Sequence, residues 1–357
     1  MRQRSVPVVA LLAALGAGLA VPGTAHATEP VTRHALAAED DGARRWAVRP
    51  AGKDGQPDAR THFTLQSTPG GTVSERALVT NLSAVPVTYS VYGTDAVNTP
   101  QGAFDLLGSD QKPQDLGSWI VLKQHAVTIG AGRTVAVPFT VGVPAIATPG
   151  DHAGALVVSL KTKGSGPNKV DVESRIAVRV YLRIPGDLRP LLSVNTVAAS
   201  YQPGAGPLGR GRIDVDYTVR NPGNIRLRGR PTVVVKNALG KVVATLTPAD
   251  LPELLPRGSA TFTVSAARVF PAGPLSVSVS LAAYPDPEQP VGQAVPPAAA
   301  SGYVWAISWS LVLLVVGFLA AVTALLWWRR RRALKRLDRA LGAGAGAPYP
   351  AMAGGTA

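Results

Sequence analysis

The sequence predicts an all-β protein in which two β-sandwich domains in tandem are followed by one transmembrane helix. Short runs alternate apolar and polar side chains with the two-residue period of a half-buried strand. Gly and Pro are abundant, at 37 and 31 of 357 residues, which favours many short strands joined by turns over a helical bundle. One long uncharged segment lies near the C-terminus.

Composition also bounds the function. The chain has no cysteine, so disulfides, thiolate metal sites and cysteine nucleophiles are excluded, and both domains must be stable without covalent cross-links. The net charge is +14, of which residues 1–27 carry +2 and residues 329–357 carry +6. Because these terminal segments are explained by targeting and topology, nucleic acid is not predicted as a partner.

Residues 1–27 are predicted to be a signal peptide. Two arginines precede an apolar run, and Ala25 and Ala27 fit a small-x-small cleavage site. Pro22 interrupts the run and weighs against the alternative of an uncleaved anchor helix. Residues 28–45 are polar and without periodicity, so they are predicted to be a disordered leader.

Residues 46–185 are predicted to form the first Ig-like β-sandwich. Residues 87–91 alternate strictly between apolar and polar side chains, as a half-buried strand does. A later alternating run contains Pro138, which lacks a donor and indicates an edge strand or a bulge. Residues 155–160 and 176–184 are β-branched runs on either side of a Gly- and Pro-containing turn, and they are predicted to form a hairpin.

Residues 188–285 are predicted to form a second Ig-like β-sandwich, separated from the first by the break at 185–187. Residues 213–219 alternate and stop at the turn formed by residues 221–224, and further short strands follow at the spacing of a sandwich. The Pro-rich residues 286–302 are predicted to be a stiff stalk, which would lift the domains up to roughly 50 Å from a bilayer.

Residues 303–328 contain no charge and are predicted to be a transmembrane helix with aromatic residues at both ends. A basic tail, residues 329–357, follows at once and begins with Arg329, Arg330, Arg331 and Arg332. Since positive charge is retained on the cytoplasmic side, the tail is predicted to be cytoplasmic and both domains to lie outside a single-pass cell membrane anchor.

The first domain resembles a known family. Its ordered motifs are FTLQSTPGGTVSERALVTN (63–81), VTYSVYGTDA (87–96), GAF (102–104), GSWIVL (117–122), VPFTVGVP (137–144) and PGDHAGALVV (149–158). This order is similar to the peptidoglycan-binding domain of WxL-interacting proteins, cell-surface proteins of Gram-positive bacteria in which a second domain, a membrane span and a basic tail follow. The resemblance implies binding to the cell wall. With 27 Arg against 9 Lys, the chain is predicted to come from an actinobacterial, high-GC genome.

Four aromatic residues are the candidates for contact with a glycan or a protein partner, because a flat ring can stack on the apolar face of a sugar: Tyr92, Trp46, Phe104 and Trp119. Trp119, in the predicted strand GSWIVL, fits a core tryptophan of a sandwich as well. Tyr92 is predicted to project from the polar face of its strand.

Neither a catalytic site nor a cofactor or metal site is predicted. Asp151 and His152 are the most enzyme-like pair, but no motif supplies a nucleophile or a second carboxylate. Asp151 is predicted instead to accept hydrogen bonds from backbone donors of the turn before its strand. The spacing of the histidines fits no zinc motif.

The leading hypothesis is a non-catalytic, membrane-anchored cell-surface protein that binds peptidoglycan or another wall polymer through its first domain. The alternative is a protein–protein assembly or adhesion module of the envelope, which presents sheet edges to another secreted protein and has no glycan site. Both hypotheses share the anchor and differ in the partner.

Overall fold

The computed structural model describes residues 44–163, 170–271 and 273–344. The predicted signal peptide, nearly all of the leader, the turn of the hairpin at 164–168 and the end of the basic tail lie outside these residues. Apart from a one-turn helix and one long C-terminal helix, the described secondary structure consists of strands, which form two sandwiches. The predicted fold class is confirmed.

The first sandwich packs two sheets against each other. Its elements are β1 (Trp46–Pro50), β2 (Phe63–Gln66), β3 (Thr72–Asn81), β4 (Val87–Asn98), β5 (Phe104–Leu106), α1 (Leu116–Trp119), β6 (Ile120–Leu122), β7 (Ala126–Ile129), β8 (Thr134–Gly142), β9 (Gly150–Thr162) and β10 (Val172–Ile184). One sheet has the order β1-β3-β8-β6. The other has the order β2-β10-β9-β4, with β5 and β7 both pairing with β4.

The core of this sandwich follows from the alternation of the sequence. Val87, Tyr89 and Val91 are buried on the inner face of β4, and Phe63 meets Phe139 edge to face with ring centroids 5.1 Å apart. The predicted hairpin is the antiparallel pair β9–β10. β6 covers only the last part of β8, so Pro138 lies at a local edge, as predicted.

The second sandwich is smaller. Its elements are β11 (Ser193–Gln202), β12 (Gly211–Arg220), β13 (Leu227–Asn237), β14 (Val242–Leu246), β15 (Leu251–Leu254), β16 (Ser259–Val269), β17 (Gly273–Pro285) and β18 (Ala298–Ala306). A sheet of order β11-β12-β16 faces one of order β14-β13-β17-β18, in which β15 also pairs with β13. Ile213, Val215, Tyr217 and Val219 of β12 fill the core between them.

Each sandwich uses a buried asparagine to turn the chain. The side-chain amide of Asn221 donates to the carbonyl oxygens of Ile225 (2.7 Å) and Leu254 (2.9 Å), and its oxygen accepts from the backbone N–H of Gly223. In the first sandwich the amide of Asn81 donates in the same way across the turn that follows β3. A buried turn is thereby supplied with the backbone partners that it would otherwise lack.

The prediction of a stalk over residues 286–302 is wrong for residues 298–302, which belong to strand β18. β18 pairs with β17 along its whole length, from Ala298 opposite Leu281 to Ala306 opposite Gly273. The alternation is present but is carried by small inward-facing residues, so the Pro- and Ala-rich composition concealed a strand. The second domain therefore extends one strand beyond the predicted end at residue 285.

Two further boundaries need correction. The predicted membrane span began at residue 303, but Tyr303 and Trp305 belong to β18, and the helix α2 covers Trp309–Gly344. Among the described residues, one helix, Trp309–Arg336, is long and apolar enough to cross a membrane. Trp119 was predicted on a strand, whereas it is the last residue of α1, and the strand begins at Ile120.

Candidate functional site: a cleft between the two sandwiches

The two sandwiches meet through a buried cluster of charged side chains. Asp151 and Arg183 are directly opposite each other in the β9–β10 pair. The guanidinium of Arg183 donates from Nε to Asp151 Oδ1 (2.6 Å) and from Nη2 to Oδ2 (2.8 Å). From the second sandwich, the backbone N–H of Arg226 donates to the same Oδ2 (2.9 Å). The carboxylate of Asp151 is therefore shared between the domains.

Arg226 extends the cluster. Its Nη1 donates to Glu253 Oε1 (2.8 Å), its Nη2 to Gln289 Oε1 (3.0 Å), and its guanidinium lies 3.7 Å above the ring of Tyr181. The Tyr181 hydroxyl donates to Glu253 Oε2 (2.8 Å). Burial, reinforced by this carboxylate, raises the pKa of Tyr181 to about 12, so the hydroxyl stays a donor.

We call the cluster of Asp151, Tyr181, Arg183, Arg226, Glu253 and Gln289 the joint. Further hydrogen bonds connect the two sandwiches on both sides of it. The N–H of Asp151 donates to Asn224 O (2.7 Å), and Gly150 has a positive φ of 128° where a Cβ would collide with Asn224. On the other side the amide of Asn98 donates to Glu253 O (2.8 Å), and its oxygen accepts from Leu255 N–H (2.8 Å). The two domains are thus fixed by many hydrogen bonds whose polar groups are buried.

A cleft of about 1080 Å³ lies beside this joint. One wall is formed by the β5–α1 loop and the end of β4, a second by the β8–β9 loop, and the third by residues 255–259 of the second sandwich. Its lining mixes apolar and charged side chains. Ile146 is 91% exposed at the rim, Trp119 and Leu255 line it, and the cations Lys112 and Arg257 are exposed.

Asp95 holds one wall of the cleft in place. Its carboxylate, on β4, accepts hydrogen bonds from the backbone N–H groups of Gln114 (2.6 Å), Asp115 (2.9 Å) and Gly117 (2.6 Å). A Cβ at Gly117 would overlap the backbone at Thr94, so only glycine lets α1 lie this close to β4. Asp95 therefore fixes the position of Asp115 and of Trp119 at the end of α1.

His152 ties two walls together. Its Nδ1 lies 2.6 Å from Asp115 Oδ1 and its Nε2 lies 3.0 Å from the carbonyl oxygen of Thr148. Both partners are acceptors, so only the doubly protonated imidazolium satisfies them both. Burial disfavours the charged ring, but the hydrogen bond and the charge of Asp115, with Thr148 O and Asp151, outweigh it and raise the pKa of His152.

The polar side chains of the cleft have structural partners. Asp151 and His152, the most enzyme-like pair of the sequence, face different partners and are both engaged in holding walls together. Among the described residues, no group of three His, Asp or Glu side chains is placed to hold a metal ion. The arrangement presents apolar surface and two exposed cations on walls that hydrogen bonds hold in place.

The four predicted contact residues do not converge. Trp119 lines the cleft, half-buried, with its ring 4.7 Å from that of His152. Trp46 is buried in the first core against Tyr89. Phe104 is half-buried near the joint, under the guanidinium of Arg179 at 4.2 Å. Tyr92 is half-buried outside the cleft lining, with its hydroxyl 3.4 Å from Glu173.

The residues that build the joint were missed at the level of sequence. The prediction that Asp151 accepts from backbone donors of the turn before its strand is wrong, because its backbone donor is Arg226 of the other domain and its side-chain partner is Arg183. A partial signal was present, since Arg183 and Arg226 each interrupt an apolar run, but both lie on the face opposite to the core residues beside them, where a charge is expected to be exposed. Their partners lie 32 and 75 residues away, and no spacing rule connects them.

The chain is thus a two-domain β-sandwich protein with a C-terminal apolar helix. No family model matches it, and no curated protein matches its sequence. Its solved structural neighbours include the class 5 fimbriae chaperone CfaA, with 11% identity, a TM-score of 0.36, and coverage of 72% of this chain and 98% of the other.

Two further neighbours also match most of this chain at low sequence identity. The E. coli chaperone DraB has 12% identity and a TM-score of 0.29, covering 73% of this chain and 97% of that one. The complex of the chaperone CsuC with the tip adhesion subunit CsuE of Acinetobacter baumannii gives 11% identity and a TM-score of 0.33, covering 72% and 97%. Likeness at this level assigns no function to the chain.

Proposed function

We propose that this chain is a membrane-anchored, non-catalytic interaction module of the cell envelope, which holds a segment of a partner protein in the cleft between its sandwiches. The observation that carries the proposal is a pre-formed cleft, lined by apolar and charged side chains, between two sandwiches joined by buried hydrogen bonds. This corresponds to the assembly or adhesion module that the sequence offered as the alternative.

The size and lining of the cleft favour a macromolecular segment. Its volume of about 1080 Å³ lies just above the range of about 300–1,000 Å³ for small-molecule sites. Apolar side chains such as Ile146 are exposed where a partner would cover them. Because the joint holds the walls in place, little ordering is needed when the partner binds.

The helix α2 supplies the anchor in this proposal. Its apolar side chains are exposed over the uncharged part that ends at Trp328, and Arg329, Arg330, Arg331 and Arg332 follow that part within the candidate span Trp309–Arg336. By the positive-inside rule the tail is cytoplasmic and the sandwiches face the outside of the cell membrane. The partner is therefore another protein of the envelope.

Site-specific photo-cross-linking tests the proposal. A photoreactive amino acid at Ile146, in the full-length protein in its native membrane, should capture one protein that the same probe at Val172 does not. Val172, 57% exposed on β10, is the matched control outside the cleft lining. Ser259→Trp, a change at an exposed residue that lines the cleft, should block the adduct. Equal adducts from both positions, or an adduct that survives the blocking change, would contradict the proposal.

A wall polymer such as peptidoglycan, the ligand implied by the resemblance to WxL-interacting proteins, is the second candidate. One observation favours it, namely the half-exposed ring of Trp119 at the edge of a cleft that contains charged groups able to orient sugar hydroxyls. On this hypothesis Trp119→Ala reduces sedimentation of the protein with purified cell wall, whereas on the first hypothesis it does not. If Tyr92→Ala reduces sedimentation and Trp119→Ala does not, the polymer binds on the outer face of β4 and not in the cleft.

A further inference from the structure

The second sandwich leads directly into the membrane helix. β18 ends at Ala306 and α2 begins at Trp309, so only two residues separate them. Ser308 is buried and caps the helix, with its hydroxyl accepting from Leu311 N–H (3.4 Å) and donating to Gly206 O (3.5 Å). A helix that starts at the sandwich brings one end of that sandwich to the bilayer surface.

The strand registers show which loops share that end. Ala306 of β18 is opposite Gly273 of β17, and Leu275 of β17 is opposite Asn237 of β13. The hairpin turn at 237–241 and the residues that follow β16 at 270–271 therefore lie at the end from which α2 emerges. In the other sheet, Gly211 of β12 is opposite Val269 of β16, which places the loop at 203–210 there too.

Each of these three loops exposes a large apolar side chain. Leu208 is 64% exposed, Leu239 is 91% exposed and Phe270 is 47% exposed. Tyr303 and Trp305, on the outward face of β18, are 79% and 67% exposed. These five residues form what we call the basal surface. Large apolar side chains that are exposed together on three neighbouring loops indicate a surface that contacts something other than water.

The charges of the same loops have one sign. Arg210, Lys241 and Arg268 lie in or beside the three tips, and the segments 203–210, 237–241, 268–273 and 303–309 contain no acidic residue. At the opposite end of the sandwich, Glu253 and Asp286 contribute acidic groups to the joint. Aromatic and aliphatic tips beside cations are the pattern of a protein surface that rests in the interface of an anionic bilayer.

We propose that the basal surface docks on the lipid headgroups of the membrane that α2 crosses, with anionic phospholipid as its ligand. The inference rests on the membrane anchoring in the proposed function and adds to it a second, non-spanning contact. Tyr303 and Trp305 then occupy the aromatic level of the interface from a strand, where the sequence alone assigned them to a helix. The apolar tips insert at headgroup depth, and the three cations pair with lipid phosphates.

Single-cysteine variants test the docking, because the chain has no cysteine of its own. Leu208→Cys, Leu239→Cys and Phe270→Cys would each carry an environment-sensitive fluorophore in full-length protein reconstituted into vesicles of phosphatidylcholine and phosphatidylglycerol. Leu191→Cys is the control, since Leu191 is 42% exposed just before β11, at the joint end. Lipids with a quencher near the headgroup should quench the three tips severalfold more than the control.

The outcomes separate the docking from the anchoring. Retention of the protein in vesicles after alkaline carbonate, with the three tips quenched, supports both. Retention with tips quenched no more than Leu191→Cys would overturn the docking alone and leave the surface to a protein partner. Release by carbonate would overturn the anchoring and the docking with it. The double change Arg210→Gln and Lys241→Gln should lower quenching in the mixed vesicles and leave it unchanged in phosphatidylcholine alone.

Discussion

Arg226 is the residue at which the two sandwiches depend on each other most. It is 1% exposed, and its guanidinium contacts a carboxylate, an amide and an aromatic ring from three distant parts of the chain. Its Nε has no hydrogen-bond partner, the nearest carboxylate oxygen, Asp151 Oδ2, being 3.9 Å away. Folding removes the charge of this guanidinium from water, and its partners compensate for that cost. Losing one of them would therefore destabilise the folded protein.

Replacing Arg226 with methionine should destabilise the protein by about 3–5 kcal/mol, since Glu253 would be left buried without its cation. Arg228→Met is the matched control, because Arg228 lies two residues further on and faces solvent. Chemical denaturation of both variants measures the difference. Equal unfolding midpoints would show that the joint contributes nothing to stability.

His152 should make the cleft sensitive to pH. Its pKa is raised in the folded protein, so the stabilisation by its charged form is complete below the unfolded value near 6.5 and is lost as pH rises through the folded value. Melting temperature should therefore fall as pH rises above about 6.5, the usual pKa of a histidine. His152→Gln should flatten this slope, and an unchanged slope would dissociate the transition from the contact with Asp115.

Much of the core could be read from the sequence, and the site could not. Residues 87–91 and 213–219 were predicted as strands because apolar side chains alternate there without interruption. Asp151 and Arg226 are 75 residues apart, and only the docking of the two domains brings them together. The position of Trp119 depends on three backbone hydrogen bonds to Asp95, which leave no local pattern.

At the scale of elements, β18 is the strand that decides where the second domain ends. Its inward positions include Ala298, Gly302 and Ala306, which bury little surface each and carry a weak pattern. Pairing with nine residues of β17 compensates, because the backbone hydrogen bonds of a strand do not depend on side-chain size. The Pro- and Ala-rich composition therefore indicated a linker, although residues 298–306 pair with β17 as a strand.

A fragment of residues 188–308 should fold cooperatively, whereas 188–285, which ends at the boundary predicted from sequence, should not. The shorter fragment lacks β18, so β17 becomes an unpaired edge and the core loses Val304 and Ala306. Both fragments lack Asp151, and the longer one adds Gln289, a partner of Arg226, so the comparison tests β18 together with the segment that precedes it. Thermal melts followed by dye binding measure the cooperativity of unfolding. A cooperative melt of the shorter fragment would show that the second domain folds without β18.

At the scale of the whole molecule, the joint, the second sandwich and α2 form one continuous path from the cleft to the proposed membrane. Protease added to intact, wall-stripped cells should remove the sandwiches and spare an epitope at the C-terminus, because Arg329–Arg332 are retained inside. Permeabilised cells serve as the control, in which the epitope should disappear. Loss of the epitope in intact cells would reverse the orientation.

The direct passage from β18 into α2 also has a mechanical consequence. If a partner in the cleft is pulled away from the cell, tension enters the second sandwich at Ala306 and acts along β18, whose other end leads to the segment that Arg183 holds through Gln289 O (2.7 Å). Ladder hydrogen bonds are perpendicular to antiparallel strands, so this load shears the nine β17–β18 pairs together and does not unzip them singly. If α2 is the membrane anchor that we propose, the β17–β18 pair would resist such a load as a unit.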